Sequence, residues 1–388
     1  MPSDGGGGRK NVTPRKILLT GGAGFIGSHL ASALAERGHR VRVLDVMDPQ
    51  VHGTVPHRPQ PPGVEMIRGD LLDAGALSRA LEGVEVIFHH AAAVGVGQSM
   101  YEAAGYTRVN SLGTAMLMEK VARAGSRVEK VIVASSMSIY GEGRYRCAAC
   151  GPVAPEQRGR ERLLSGKWEP ACPGCGRDVA PLPTDESKPL SPTSVYGVTK
   201  RSQEETVLVM GKSYGIPAVA LRYFNVYGPG QALSNPYTGV AAIVSSRLLN
   251  GKPPCLFEDG EQGRDFVHVD DIVQANLLAM ERSDADFQAL NVGTGVRTSV
   301  RELARGLTRR LAPENNVVPK ILGTFREGDI RHCYADITRI RTRLGYEPRV
   351  PLEKGFDDLA EWARTQEPLD RFDVATAELV SRGLVIGS

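Results

Sequence analysis

The stretch Ile17-Leu-Leu-Thr-Gly-Gly-Ala-Gly-Phe-Ile-Gly27 decides the fold. Ile17, Leu18 and Leu19 read as a short buried strand, and the apolar spacing from Phe25 to Ala35 reads as a helix. Between them stands a turn in which Gly21, Gly24 and Gly27 are spaced as in a dinucleotide-binding fingerprint. One glycine permits the tight turn, one lets the backbone approach a pyrophosphate, and one lets helix and strand pack closely. Phe25 and Ile26 open the helix, whose free N–H groups would face the phosphates. Asp45 lies 18 residues past Gly27 and closes the next apolar run, Val41–Leu44. Its carboxylate can accept bonds from a ribose diol and repels a 2′-phosphate, which favours NAD over NADP.

Three further apolar runs, Val64–Ile67, Val86–Phe88 and Val131–Ala134, are separated mostly by helical patterns. Such alternation specifies an α/β fold with a doubly wound parallel sheet, of the Rossmann type. Asp70 and Leu71 follow the third run, beside the adenine in sheets of this kind; Asp70 alone reads equally well as a helix cap. The rhythm breaks at Asp48–Gly63, a loop rich in Pro and His, and at Glu142–Pro183, which carries four clustered cysteines. It breaks again beyond Tyr227, where Gly and Pro turns precede a late helix from about Leu352 to Arg364. The expected organisation is a flexible tail over 1–14 and a cofactor domain of 15–141, 186–225 and 262–285. An insertion at 142–185 and a smaller substrate lobe of 226–261 and 286–388 complete it.

The 388 residues carry 47 Lys plus Arg against 44 Asp plus Glu, a net charge of +3, with 41% hydrophobic and 23% charged residues. That balance argues against a protein held to nucleic acid by phosphate attraction. The longest uncharged run, between Arg222 and Arg247, is broken by Gly, Pro, Asn and Gln, so no membrane span is expected. The first residues lack the apolar stretch of a secretory signal, and six cysteines are too few for a disulfide framework. A cytoplasmic protein is expected.

Tyr196-Gly-Val-Thr-Lys200 puts a phenol and an ammonium on one face of a helix. The nearby charge should lower the tyrosine pKa and make Tyr196 a general base for a sugar hydroxyl. Ala134-Ser-Ser-Met-Ser-Ile-Tyr-Gly141 leaves the fifth strand, so Ser136 and its neighbours reach the carboxyl edge of the sheet, where such folds bind substrates.

With these motifs the chain resembles the extended short-chain dehydrogenase/reductases, and among them the nucleotide-sugar epimerases and dehydratases, from about Lys16 to beyond Asp336. The resemblance implies a tightly bound NAD and the catalytic set Ser136, Tyr196 and Lys200. It places Asn110, Ala91 and Tyr223 near the cofactor. It implies that Asn225, Arg264, Arg326 and Asp329, with Ser138 and Phe257, meet a nucleotide-diphosphate sugar. Family dehydratases carry an Asp-Glu pair after the catalytic hydroxyl; Met137 and Ser138 stand there, which favours reversible oxidation at C4, that is, 4-epimerisation. The resemblance also implies a homodimer, paired through a helix from about Met100 to Arg123 and the one that begins near Tyr196. Rival readings are a dehydratase or dehydrogenase on this fold, and a non-catalytic NAD sensor.

Cys147-Ala-Ala-Cys150 and Cys172-Pro-Gly-Cys175 are separated by 21 residues, and each pair is followed by a glycine. That is the spacing of a four-thiolate Zn²⁺ ribbon, a structural site with no open position; two reducible disulfides are the alternative. The ribbon lies between Ser136 and Tyr196 and is expected to form a flap beside the sugar pocket. A ribbon in this place resembles a subgroup of the epimerases that includes dTDP-L-rhamnose 4-epimerases, and the run Gly228-Pro-Gly-Gln-Ala-Leu-Ser-Asn-Pro-Tyr-Thr-Gly239 adds to that likeness.

Overall fold

The computed structural model describes residues 13–53, 62–123, 126–315 and 317–387. Residues 1–12 of the expected tail and 54–61 of the Pro- and His-rich loop lie outside them. Seven strands form the central sheet: β1 (Lys16–Thr20), β2 (Arg40–Asp45), β3 (Val64–Arg68), β4 (Val86–His89), β5 (Lys130–Ser136), β6 (Ala218–Tyr223) and β7 (Gln288–Val292). All pairings are parallel, in the order β7-β6-β5-β4-β1-β2-β3. The carboxyl ends of β1 and β4 therefore sit side by side where the order reverses, the usual place for a dinucleotide.

Alternate strand residues feed two cores, as a period of two requires. Ile17, Leu19, Val41, Val43, Phe88 and Ile132 face the first helix, α1 (Phe25–Glu36), and helix Val269–Glu281. Leu18, Leu44, Ile87, Val131 and Val133 face helices Ala74–Leu81 and Gly113–Val121. Helix Val195–Tyr214, bounded by the Ser194 cap and by Gly215 in the left-handed region, covers the same side through Val207. A third core of Tyr227, Leu256, Phe266, Leu303, Phe356 and Leu359 builds the smaller lobe.

The domain limits need one correction. Residues from 286 onward were expected in the lobe, yet Gln288–Val292 is the seventh strand of the sheet. Helix Val269–Glu281 returns the chain to the sheet edge, and Leu290 and Val292 bury against the sheet core. Two lobe elements converge on Phe325–Arg326: this short strand pairs antiparallel with Val385–Ile386 near the end of the chain. The insertion is a three-stranded antiparallel sheet, Arg144–Cys147 between Gly151–Val153 and Ala180–Leu182, with a short helix Arg160–Leu164.

Candidate active site

Gly21 takes a left-handed φ of 69°. A Cβ there would lie 2.7 Å from the Ala91 nitrogen, and one on Gly27 would lie 2.3 Å from the Gly21 carbonyl oxygen. The turn is thus pressed between the end of β4 and the first turn of α1, with no side chain capping that helix at Gly24. A backbone cradle with free N–H donors fits a pyrophosphate. Asp45 is buried at the end of β2 and accepts from the N–H groups of Ala23 (3.0 Å) and Met47 (2.9 Å), with His52 Nε2 at 3.6 Å. Burial pushes its pKa up, but His52 and the two N–H donors outweigh burial and hold it below the usual carboxylate range. The charge expected to repel a 2′-phosphate is therefore present, and it also ties the second strand to the glycine turn. Asp70 is exposed and closes its own turn onto the Leu72 N–H, Leu71 is buried, and Asp73 is the residue that caps the next helix.

Asn110 and Tyr223 are each held by hydrogen bonds within the protein. Asn110 is fully buried in a π-helical turn, Thr107–Leu112; its amide accepts from Ala93 N–H (2.7 Å) and donates to Ala93 O (3.1 Å) and Thr199 Oγ1 (2.9 Å). It clamps the loop after β4 to the helix that bears Tyr196. The Tyr223 hydroxyl is held by Asn276 at 2.7–3.0 Å, with His90 Nε2 at 3.3 Å.

Ser136 ends β5, and the Ser138 hydroxyl donates to its oxygen at 2.9 Å. Tyr196 stands half-buried in the first turn of helix Val195–Tyr214. Its backbone N–H donates to Ser99 Oγ at 2.9 Å, and a Cβ on the adjacent Gly197 would meet Ser138 O at 2.8 Å. That close approach of helix to turn brings Tyr196 to Ser136. Ser99 and Gly197 were missed from sequence; the glycine beside the tyrosine was a readable signal, whereas Ser99 left none.

The electrostatics overturn one expectation. Burial raises the Tyr196 pKa, and a hydrogen bond with Ser136 offsets it only partly. Lys200 does not reach the phenol; its Nζ donates to Ala134 O and, at 2.7 Å, to Gln203 Oε1. Burial brings the Lys200 pKa down to about 7, against the pull of Glu204. The pair shares one helix face as the spacing required, but desolvation dominates both groups.

On the lobe side, Arg264 has no carboxylate partner among the described residues. Its guanidinium donates only to the carbonyls of Gly263 (3.0 Å), Ile330 (2.8 Å) and Arg331 (2.9 Å), and burial lowers its pKa. The buried Asn225 Oδ1 has no partner among the described residues. A half-buried cation without a counter-charge and an orphaned amide oxygen are groups that a polar ligand would satisfy. Arg326 pairs with Asp329 at 2.7 Å and lies 4.7 Å over the Phe257 ring. Thr193 donates to Gly328 O at 2.7 Å, which joins this loop to the approach to Tyr196.

The sulfurs of Cys147, Cys150, Cys172 and Cys175 all lie within 4.8 Å of one another, with Cys147 and Cys175 at 3.5 Å and no disulfide. Zn–S bonds of about 2.3 Å place tetrahedral sulfurs about 3.8 Å apart, so the donor set fits Zn²⁺. Backbone N–H groups of Cys150 and Ala149 point at the Cys147 sulfur and hold its pKa down at about 6. The rest of the insertion is no free flap. Its Arg158 is buried and bound through both terminal nitrogens to Glu258, at 3.0 and 2.8 Å. Cys333, outside the ribbon, is buried.

The sequence pattern of the NAD dependent epimerase/dehydratase family matches residues 17–169 and 172–293. A dTDP-L-rhamnose 4-epimerase of Burkholderia thailandensis is 38% identical over 365 residues, 93% of this chain and 97% of that protein. A UDP-glucose 4-epimerase of Mycolicibacterium smegmatis is 33% identical over 90% of this chain and 99% of its own. Among solved structures, a UDP-glucuronic acid 4-epimerase from Bacillus cereus in complex with UDP-glucuronic acid and NAD is 28% identical. It superposes with a TM-score of 0.73 over 90% of this chain and 99% of that one. By motif, fold and overall sequence, the chain belongs to the NAD dependent epimerase/dehydratase family, with nucleotide-sugar 4-epimerases as its relatives.

Proposed function

We propose that the protein is an NAD-dependent nucleotide-sugar 4-epimerase whose substrate is a dTDP-linked 6-deoxyhexose such as dTDP-L-rhamnose. The observation that carries this is the set Ser136, Tyr196 and Lys200 at one sheet edge, with Met137 and Ser138 rather than carboxylates after Ser136. The likeness to the Burkholderia enzyme supports the choice of sugar. NAD, when bound, supplies a hydride acceptor and later a hydride donor at C4. Tyr196 takes the C4 hydroxyl proton and returns it after the flat 4-keto sugar has turned over. Ser136, steadied by Ser138, holds that oxygen. Lys200 lies one turn further along the same helix face, tied to Ala134 O and Gln203 Oε1, and its charge would favour the phenolate when the site is filled. Asn225, Arg264 and Arg326 hold the diphosphate while the sugar turns, with Asp329 fixing Arg326 and Phe257 forming a wall beneath it.

Residues 226–261 and those beyond β7 form the nucleotide-sugar lobe in this reading, and 142–185 is a structural zinc ribbon. Exposed Leu112, Val198 and Val209 support an isologous homodimer through stretch 103–121 and helix Val195–Tyr214. Three insertion arginines are paired with carboxylates, Arg144 with Asp185, Arg158 with Glu258 and Arg162 with Asp178, while Arg146, Arg160 and Arg177 are exposed. Among the described residues no helix is long and apolar enough to cross a membrane. The six free thiols agree with a reducing cytoplasm. The test is product NMR at C4 on a panel of nucleotide sugars. Inversion at C4 without net cofactor reduction is expected. Accumulation of a keto sugar would favour the dehydratase or dehydrogenase reading instead.

A further inference from the structure

The segment Arg326–Arg331 carries Arg326 and Asp329 and presents the carbonyls of Ile330 and Arg331 to Arg264. Its backbone is gripped from the insertion. Arg158 donates to Asp329 O at 2.9 Å through the nitrogen that also binds Glu258. Glu142 accepts the Arg331 N–H at 2.8 Å, and its other oxygen accepts from the buried Tyr145 hydroxyl at 2.6 Å. The Arg331 side chain then spans Glu258 (3.0 Å), Asp259 (2.7 Å) and Glu169 (2.8 Å). Glu142, Arg158 and Glu169 belong to the insertion; Glu258, Asp259 and Arg331 belong to the lobe. Arg158 and Glu258 are each about 1% exposed, so this is a fixed buried joint and not a sliding surface.

We propose that Arg158 is a positioning residue for the substrate diphosphate: it anchors the insertion to the Asp329 carbonyl and Glu258, and so fixes the loop that orients Arg264 and Arg326. The inference rests on the reading of those two arginines as diphosphate ligands. Only a guanidinium can bind a carboxylate through two nitrogens and still reach a carbonyl, so lysine, a point charge, cannot keep all three bonds. The joint holds the half of the site that grips the nucleotide, while Ser136, Tyr196 and the NAD cradle stand on the sheet. The effect should therefore fall on substrate affinity more than on chemistry.

The test is Arg158→Lys, assayed by calorimetry with dTDP against dTMP, and with UDP against UMP, beside steady-state kinetics. The diphosphate should lose about 10–100-fold in affinity, the worth of a misaligned charged hydrogen bond. The monophosphate and the bound NAD should be unaffected, and KM should rise with kcat nearly unchanged. An unchanged ratio of diphosphate to monophosphate affinity in the variant overturns the proposal. A wild type that shows no preference for the diphosphate overturns the ligand reading beneath it, which is a different failure. The double variant Arg158→Met/Glu258→Gln, in which Arg331 keeps Asp259 and Glu169, should retain NAD and show the same selective loss of diphosphate affinity, and wild-type selectivity in it overturns the proposal. Wild type alone gives a second measurement by linkage: dTDP must slow amide exchange around Arg158 and Trp168, and no protection there refutes the coupling.

Discussion

Replacing Lys200 by methionine should make the NAD-free protein more stable while abolishing its turnover. Lys200 is 3% exposed, and burial lowers its pKa from 10.5 to about 7. The unfolded chain therefore binds more protons than the folded one between about pH 7 and 10.5, and at pH 7 the shift weighs against folding by about 4 kcal/mol. Methionine has a similar length and no charge to desolvate. It leaves the Ala134 carbonyl and the Gln203 amide oxygen without this donor, a loss of about 1–3 kcal/mol. The net gain is on the order of 1–3 kcal/mol, a melting point higher by a few degrees. The sign can be checked with pH. Wild-type stability rises from pH 7 to 10.5 as the folded lysine ceases to be penalised, so the advantage of Lys200→Met should shrink across that window. Urea unfolding at pH 7 and pH 9.5 measures both points, with activity assayed on the same preparations. A variant less stable than wild type at pH 7, or a gap that does not narrow with pH, would refute the burial argument.

Tyr196→Phe should retain fold and NAD but lose turnover by several orders of magnitude, while Ser136→Ala should lose about 10²–10⁴ in kcat; near-normal turnover in the phenylalanine variant removes the base. Asp45→Ala should loosen NAD and admit NADP, read by fluorescence titration with both cofactors; purification of the wild type with NADP bound would contradict the role of that carboxylate. Elemental analysis should find about one zinc per chain, and Cys172→Ser should lose it with weaker substrate binding while NAD stays; less than about half an equivalent in wild type rejects the metal. Burial raises the Glu169 pKa but His332 and Arg331 bring it down to about 2, so its contribution is full above pH 4.5 and fades toward pH 2. Melting points from pH 6 to 3 should fall less steeply in Glu169→Gln than in wild type.

β1, β4 and β5 were legible because a parallel sheet buries both faces, so each reads as an unbroken apolar run; β2 and β3 were legible from the apolar residues on either side of Arg42 and Glu65. β7 was not, since Gln288 and Asn291 interrupt it. Asn291 is buried there because Tyr140 Oη donates to it and Thr184 O accepts from it, partners more than a hundred residues away. The Tyr-Lys spacing announced its helix face but not its electrostatics, because desolvation depends on everything packed around Lys200. Nothing in the sequence around Arg158 marks it out, because the carboxylate that pairs with it lies 100 residues downstream. The four cysteines were legible because metal geometry is local, whereas the docking of their ribbon is tertiary.

The strand order β7-β6-β5-β4-β1-β2-β3 also sets a sequence of events for a chain that is still being made. β2 and β3 can add on one side of β1 as they emerge, and β4 to β7 then extend the other edge in the order of translation. By the time Val292 is out, the sheet and the Ser136–Tyr196–Lys200 trio exist, but Arg326 does not. The strand that braces Arg326 is Val385–Ile386, which emerges later still. On the proposed reading, a chain cut short after the sheet would own Ser136, Tyr196 and Lys200 together with Asn225 and Arg264, yet lack Arg326 and the Ile330 and Arg331 carbonyls that hold Arg264 in place.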